Sequence, residues 1–263
     1  MKNLLIYISP TGSFDNPRPD LADNDAAALV KIQIENSLLL GWKTQDIVLV
    51  TNFRYKYGGV EALMLRGVEF FERKPQVSKI NAIVKLFEKG YIKGDETYWF
   101  HDLDAFQLQP IQMNEINIDA DQIAMTDFGG AKHFGGEDRW SGGIIYFKSG
   151  SYDIFQSMQK LCYEKQIDEE EAVGLTVINN PNFRRRIIKL NNSYNFIGYN
   201  LESVYAKSIK PLKVVHFHPR TGKKRFGGVG TESALRFFKG ENSLNTPLIT
   251  DNLLKLFEYH RIA

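Results

Sequence analysis

The chain has 263 residues, of which 43% are apolar and 13% are aromatic, so it can bury a large core and is not a disordered protein. Its 33 basic and 31 acidic residues nearly balance, which argues against a dedicated nucleic-acid-binding protein. The single cysteine, Cys162, excludes an intramolecular disulfide.

Strand and helix patterns alternate in the first part of the chain. Apolar runs predict strands at residues 3–9 and 46–52, and a third strand ends in "TYWFHDLD". Between them, "DNDAAALVKIQIENSLLLGW" predicts a helix capped by Asp23 or Asn24, and "SKINAIVKLFEKG" predicts a helix capped by Ser78. This alternation predicts an α/β fold with a mostly parallel sheet.

The second part of the chain has a more mixed pattern. "QIAMTDF" and "GIIYFKS" predict strands on either side of a glycine-rich loop, and "RRRIIKL" and "KVVHFH" predict two late strands. "DEEEAVGLTVINN" predicts a helix with a capping box between Asp168 and Glu171. A basic, glycine-rich loop spans residues 219–230, and Thr246 is the predicted cap of a last helix. No repeat or linker interrupts the chain, so we predict one domain.

Two carboxylates, Asp102 and Asp104, follow the third predicted strand. Residues two apart in an extended chain point to the same side, so both carboxylates would converge beyond the strand's carboxyl end, where open α/β sheets bind ligands. Unpaired, they would repel each other, and a divalent cation such as Mg²⁺ or Mn²⁺ would remove that cost. A surface turn with two solvated aspartates is the alternative.

Two histidines, His216 and His218, share one face of a late predicted strand. A histidine at a strand end beside a basic glycine loop is a candidate metal ligand. An imidazole ligand would favour Mn²⁺ over Mg²⁺. The alternative for either residue is an ordinary packing or hydrogen-bonding role.

These motifs together resemble those of the GT-A glycosyltransferases, which are nucleotide-sugar-dependent enzymes. Asp102-Leu103-Asp104 resembles their DxD motif, and "WSGGIIYFKSGS" resembles the glycine segment and strand along the donor sugar. "DEEEAVGL", "KLNNSYNF" and "VVHFH" resemble their acidic helix start, the strand leading to a Tyr-Asn pair and the C-terminal histidine. The resemblance spans roughly residues 3–218 in the right order. Ser141 stands where many relatives have Asn, and the family within the fold is not identified.

The resemblance implies a single GT-A-like (Rossmann-like) domain with a mixed, mostly parallel central sheet flanked by helices. It implies a hexosyl- or pentosyltransferase that moves a sugar from a nucleoside diphosphate sugar, with UDP as the expected nucleotide, to a glycan or other hydroxyl acceptor. Asp102, Asp104 and His216 would bind Mn²⁺ or Mg²⁺, with His218 as a substitute for His216. The parts of the domain would be a nucleotide-binding half (1–110), a sugar and acceptor half (111–230) and C-terminal helices (231–263).

The resemblance also implies contacts to the two substrates. The expected donor-binding residues are Ser9, Thr11, Asn52, Lys79, Asp102, Ser141, Gly142, Gly143 and Lys223. Arg139 and Trp140 would line the acceptor site, where the indole ring suits stacking on a sugar. Lys223 lies in the basic loop, which could close over the diphosphate and exclude water. For this loop and for Lys79, the alternative is simple solvation.

An inverting transfer needs a general base for the acceptor hydroxyl, whereas a retaining transfer does not. The candidates are acidic residues near the glycine segment: Asp168, Glu169, Glu170 and Glu171, with Glu137 and Asp138 as rivals. Helix capping and the helix dipole are the simplest explanation of four acids at a helix start. We select Glu170 or Glu171 as the residue that faces the sugar, and we keep Asp168 as a third candidate.

Three other functions are compatible with parts of the sequence. A phosphotransferase or phosphohydrolase of the haloacid dehalogenase type also has a DxD motif, but on its first strand. A non-catalytic carbohydrate- or nucleotide-binding module and a sugar-phosphate nucleotidyltransferase are the others. No stretch approaches the ~18 apolar residues of a membrane span, and the first residues resemble no secretion signal. We therefore expect a cytoplasmic protein without a transmembrane segment.

Overall fold

The structure, a computed structural model, describes residues 1–14, 25–132, 138–197, 201–219, 234–242 and 244–262. The helices in these ranges are α1 (Ala26–Leu39), α2 (Ser78–Glu88), α3 (Tyr152–Lys165), α4 (Glu169–Asn179), α5 (Leu201–Lys207), α6 (Ala234–Phe238) and α7 (Asp251–Tyr259). The strands are β1 (Lys2–Tyr7), β2 (Ile47–Thr51), β3 (Lys56–Tyr57), β4 (Val60–Glu61), β5 (Leu63–Met64), β6 (Tyr98–His101), β7 (Ala105–Gln107), β8 (Ile123–Met125), β9 (Asp127–Lys132), β10 (Asp138–Trp140), β11 (Ile144–Phe147), β12 (Ile187–Lys189) and β13 (Val214–His216).

Seven strands form the central sheet, in the order β12-β8-β11-β6-β1-β2-β5. Neighbouring strands are parallel, except that β11 runs antiparallel to both of its neighbours, β6 and β8. This sheet confirms the predicted mixed, mostly parallel α/β architecture. Strand β6 lies in the middle of the sheet, and all four of its residues are buried. Burial on both faces is the reason that its sequence is a continuous bulky run rather than an alternating one.

Helices cover both faces of the sheet. On one face, helices α2, α3 and α4 pack against the strands in a cluster that includes Ile83, Phe100 and Phe155. On the other face, α1 contributes Val30 to a cluster that contains Leu5 of β1. The sheet is therefore buried between two layers of helices. The polar side chains Asp102 and Asp104 follow the end of its central strand, β6.

Two helix starts differ from their predictions. Helix α2 begins at Ser78 itself, whose Oγ accepts a hydrogen bond from the backbone N–H of Phe71 instead of capping the helix. The last helix is capped by Thr250, which accepts from Leu253 N–H, and not by Thr246. The chain before Thr250 is held by a tertiary contact, because Leu248 N–H donates to the carbonyl of Phe238. Helix α1 has Asp25 at its N-cap position, and the predicted caps Asp23 and Asn24 lie outside the described residues.

A small antiparallel pair outside the central sheet, β7 with β13, positions the candidate site. In its register, His216 lies opposite Ala105, the residue that follows Asp104. The backbone N–H of Phe217 also donates to the carbonyl of Asp104, at 2.9 Å. The pairing thereby brings the end of β13 beside the end of β6, although the two are far apart in the chain.

Among the helices of the described ranges, none has both the length and the apolar character that crossing a membrane requires.

Candidate active site

Asp102 and Asp104 lie in a turn between β6 and β7, which we call the acidic turn (residues 102–104). Ala105 N–H donates to the Asp102 carbonyl at 3.1 Å. The expectation that the two carboxylates converge along an extended strand was therefore wrong in its geometry, because the strand ends at His101. They do converge, and with His216 they form a group whose ligand atoms all lie within 4.8 Å of one another.

His216 rather than His218 belongs to this group. Its Nε2 lies 3.2 Å from Oδ1 of Asp104 and 4.0 Å from Oδ2 of Asp102. His218 is instead directed at Asp25, with 3.5 Å between Nε2 and Oδ2. Burial lowers the pKa of His216, but the charge and hydrogen bond of Asp104 raise it more, so the pKa lies above its ordinary value.

Gly143 provides the space in which the His216 ring lies. A Cβ atom at this position would lie 2.1 Å from Cε1 of His216 and 3.2 Å from Oδ2 of Asp102. The register of β11 against β6 sets this approach, and Asp102 N–H donates to the Gly143 carbonyl at 2.8 Å. Two carboxylates and an imidazole converging on one point are a donor set that suits a divalent cation. The residues therefore fit a divalent metal ion.

Lys79 connects the acidic turn to helix α4. Its Nζ lies 2.9 Å from Oδ1 of Asp102 and 2.8 Å from Oε1 of Glu169. Lys79 is only 8% exposed, so the alternative of a solvated lysine was wrong. Burial lowers its pKa, but the charges of Asp102 and Glu169 raise it more, and Lys79 stays charged. The other oxygen of Glu169, Oε2, is buried without a hydrogen-bond partner among the described residues.

Of the acids at the start of α4, both Glu169 and Glu170 lie beside the glycine segment (residues 141–143), and Glu170 forms a hydrogen bond to it. Oε1 of Glu170 accepts this hydrogen bond from Gly142 N–H at 3.3 Å. Burial, followed by the charge of Glu169, raises the pKa of Glu170 to about 8. Asp168 is the helix cap and accepts from Glu171 N–H at 2.9 Å, which is one of the two hydrogen bonds of the predicted capping box.

The pKa of Glu170 predicts a pH dependence of stability. The ordinary pKa of Glu170 is about 4.5, and its pKa in the folded protein is about 8. Between these two pH values the folded protein keeps the proton on Glu170, whereas an unfolded chain has released it. The stabilisation is full below pH 4.5 and is lost as the pH rises through 8. Glu170→Gln keeps a neutral side chain at every pH. The Tm of this variant relative to that of wild type should therefore rise between about pH 5 and about pH 9. Glu171→Gln removes the same charge from the same helix and is the control. An equal Tm difference at both pH values would contradict the raised pKa.

The predicted nucleotide residues meet where β1 and β2 end. Asn52 Nδ2 donates to the Ser9 carbonyl at 2.6 Å, and Ser9 N–H donates to Asn52 Oδ1 at 3.0 Å. Ser9 Oγ accepts from Thr11 N–H at 3.1 Å. These bonds make Asn52 a brace for the loop after β1. Aromatic rings of Phe14 and Phe53 pack edge to face next to it, 4.8 Å apart between ring centres.

The predicted acceptor residues are less open than expected. Trp140 is only 7% exposed and packs in the core, which leaves little open ring face for stacking on a sugar. The Arg139 guanidinium lies 5.1 Å from the ring centre of Phe128. The rival base Asp138 forms ion pairs with Lys132 and Lys189. Three predictions fall outside the described residues: those for Glu137, for Lys223 and for most of the basic loop.

Comparison with solved structures adds an independent observation. The galactosyltransferase LgtC, in complex with donor and acceptor sugar analogues, superposes with a TM-score of 0.59 over 97% of this chain and 100% of that chain, at 14% identity. The chain has the GT-A fold. The glycosyltransferase GlyE of Streptococcus pneumoniae gives a TM-score of 0.54 over 99% of this chain and 64% of that chain, at 11% identity. A glycosyltransferase involved in glycosylation of the major capsid of PBCV-1 gives a TM-score of 0.50 over 82% of this chain and 93% of that chain, at 13% identity.

No protein-family model matches the chain, and no curated protein matches it in sequence. Similarity at 11–14% identity extends to the fold and not to the reaction. The function therefore has to be argued from the chemistry of the site.

Proposed function

We propose that the chain is a metal-dependent glycosyltransferase, which moves a sugar from a nucleoside diphosphate sugar to a hydroxyl acceptor. The observation that carries the proposal is the convergence of Asp102, Asp104 and His216 within 4.8 Å, in the GT-A fold. A UDP-sugar is the donor that we expect, and a glycan or another hydroxyl compound is the expected acceptor. The same fold disfavours the alternative of a dehalogenase-type phosphotransferase.

Asp102, Asp104 and His216 would hold Mn²⁺, or Mg²⁺ in its place. When bound, the cation neutralises the charge that develops on the diphosphate as the bond to the sugar breaks. Lys79 contributes a second, permanent positive charge next to Asp102, and its own side chain is buried. Both groups favour departure of a diphosphate over that of a neutral leaving group.

Glu170 is the acid that we propose for contact with the reacting sugar or the acceptor hydroxyl. It is fixed beside the glycine segment by its bond from Gly142 N–H. With a pKa of about 8, its ionised form is a stronger base than an ordinary carboxylate, and that form becomes the main one only above about pH 8. If Glu170 is the base of an inverting transfer, the rate should rise with pH up to about 8 and level off above it.

The proposal is tested by Mn²⁺-dependent cleavage of a panel of nucleotide sugars. Wild type should cleave at least one donor, and Asp104→Ala should reduce that rate by about 10²-fold or more, because a lost metal ligand removes leaving-group stabilisation. The exposed Asp95→Ala is the matched control and should retain wild-type rates.

The panel also separates the alternatives. Cleavage of no donor, together with Mn²⁺-dependent nucleotide binding, would indicate a non-catalytic binding module. Cleavage of no donor and no such binding would refute the transferase proposal. The donor that is cleaved fastest would identify the base and the sugar.

A further inference from the structure

Asn195 is a buried polar side chain with no place in the catalytic scheme above. It is 0% exposed, and it contacts three side chains. Its Nδ2 donates to Thr126 Oγ1 at 3.0 Å and to Ser141 Oγ at 2.9 Å. Its Oδ1 lies 3.2 Å from Nδ1 of His216. An amide at such a depth is retained only if its polar atoms are satisfied, and here all of them are.

The chain around Asn195 explains how it reaches His216. Phe196 N–H donates to the Val214 carbonyl at 2.9 Å, and His216 N–H lies 3.3 Å from the Phe196 carbonyl. Residues 195–196 thus run alongside β13, and the amide of Asn195 projects beside the imidazole. Ser141 N–H in turn donates to the Thr126 carbonyl at 2.9 Å, so a backbone hydrogen bond joins the two residues whose hydroxyls bind the amide.

The orientation of the Asn195 amide decides which nitrogen of His216 carries a proton. With both N–H groups of the amide directed at hydroxyl oxygens, its carbonyl oxygen faces Nδ1. Ser141 Oγ also lies 3.4 Å from Gly143 N–H, which favours its role as an acceptor. A carbonyl oxygen only accepts, so Nδ1 must donate. The lone pair of Nε2 is then directed at the side on which Asp102 and Asp104 lie.

We propose that Asn195 is a positioning residue of the candidate metal centre, which keeps the proton of His216 on Nδ1 and Nε2 free to bind the cation. The inference rests on the proposed function, because it assigns a role toward the metal of that same site. Hydrogen bonds of this kind from the second nitrogen of a metal-binding histidine orient the ring, and their loss typically costs about 10–100-fold in metal affinity.

The test measures Mn²⁺ affinity from the electron paramagnetic resonance signal of free Mn²⁺, with no donor present. Asn195→Leu has a similar volume but no acceptor, and it should bind Mn²⁺ about tenfold or more weakly than wild type. Asn195→Asp keeps an oxygen facing Nδ1, and it should stay within about threefold of wild type or bind more tightly. Thermal unfolding of the metal-free variants measures any purely structural effect separately.

Several outcomes would overturn the positioning role. Wild-type affinity in Asn195→Leu is one, and an equal loss in the leucine and aspartate variants is another. If the leucine variant does not fold, Thr126→Val combined with Ser141→Ala releases the amide while keeping Asn195. Unchanged affinity there would equally refute the role, and a loss of about threefold or more would support it.

Asp104→Ala separates the failure of this inference from that of the proposed function. If wild type and Asp104→Ala bind Mn²⁺ equally or not at all, the metal centre itself is wrong and the inference fails with it. If wild type binds, Asp104→Ala does not and Asn195→Leu matches wild type, only the role of Asn195 is wrong.

Discussion

Lys79→Met is expected to destabilise the protein by about 3–5 kcal/mol, the usual cost of removing one partner from a buried ion pair. The lysine holds two carboxylates, those of Asp102 and Glu169, and it is 8% exposed. Glu169 is buried as well, so its charge would lose its partner without gaining water. Chemical denaturation at neutral pH measures the loss. The loss should shrink as the pH falls, because a proton on Glu169 removes the unpaired charge.

Two further variants test this explanation. Lys79→Met combined with Glu169→Gln removes the charge together with its partner and should recover a large part of the lost stability. Lys74→Met is the matched surface control, since Lys74 is 38% exposed and 3.9 Å from Asp168, and it should cost about 1 kcal/mol or less. Equal destabilisation by Lys79→Met and Lys74→Met would show that the buried pair is not what stabilises this region.

The strands of the fold were predictable because they are buried on both faces. A strand such as β6 leaves a continuous bulky run in the sequence, and its position after two strand-helix units indicated the ligand-binding edge of the sheet. Helix α3 was missed, although Ile154, Met158 and Leu161 have helical spacing and are buried. The start of α7 was misplaced because a strong local signal, Thr-Pro, was overridden by a tertiary contact.

Residues of the candidate site were predictable from the sequence only where they form a local sequence motif. Asp102 and Asp104 follow a strand in a recognisable motif, and His216 ends a late strand. The partner of Lys79 was not predictable, because a helix start shows neither which of four neighbouring acids turns inward nor which is buried. Glu169 was among those candidates and was not selected. Asn195 belongs to the Tyr-Asn pair of the resemblance, but its contact with His216 was not predicted, since its partners lie 21, 54 and 69 residues away in the chain.

Gly143→Ala is expected to weaken Mn²⁺ binding by about 100-fold or more and to lower donor cleavage in proportion. The cause is steric rather than conformational, because the backbone of Gly143 does not have the positive φ that disfavours alanine. A methyl group 2.1 Å from Cε1 of His216 cannot be accommodated without moving the ring. The ring has little freedom to move, because strand pairing holds its backbone and Asn195 holds Nδ1.

The neighbouring glycine supplies the matched control for this prediction. A Cβ atom at Gly142 would lie 2.7 Å from Cγ of Glu169, and it would displace that side chain instead of His216. Gly142→Ala should therefore keep Mn²⁺ affinity within about threefold of wild type while losing stability and donor cleavage. Adding His216→Ala to Gly143→Ala makes room for the new methyl group, so it should restore thermal stability without restoring Mn²⁺ binding. Wild-type Mn²⁺ affinity in Gly143→Ala would mean that the imidazole of His216 does not bind the cation from the position it has in this structure.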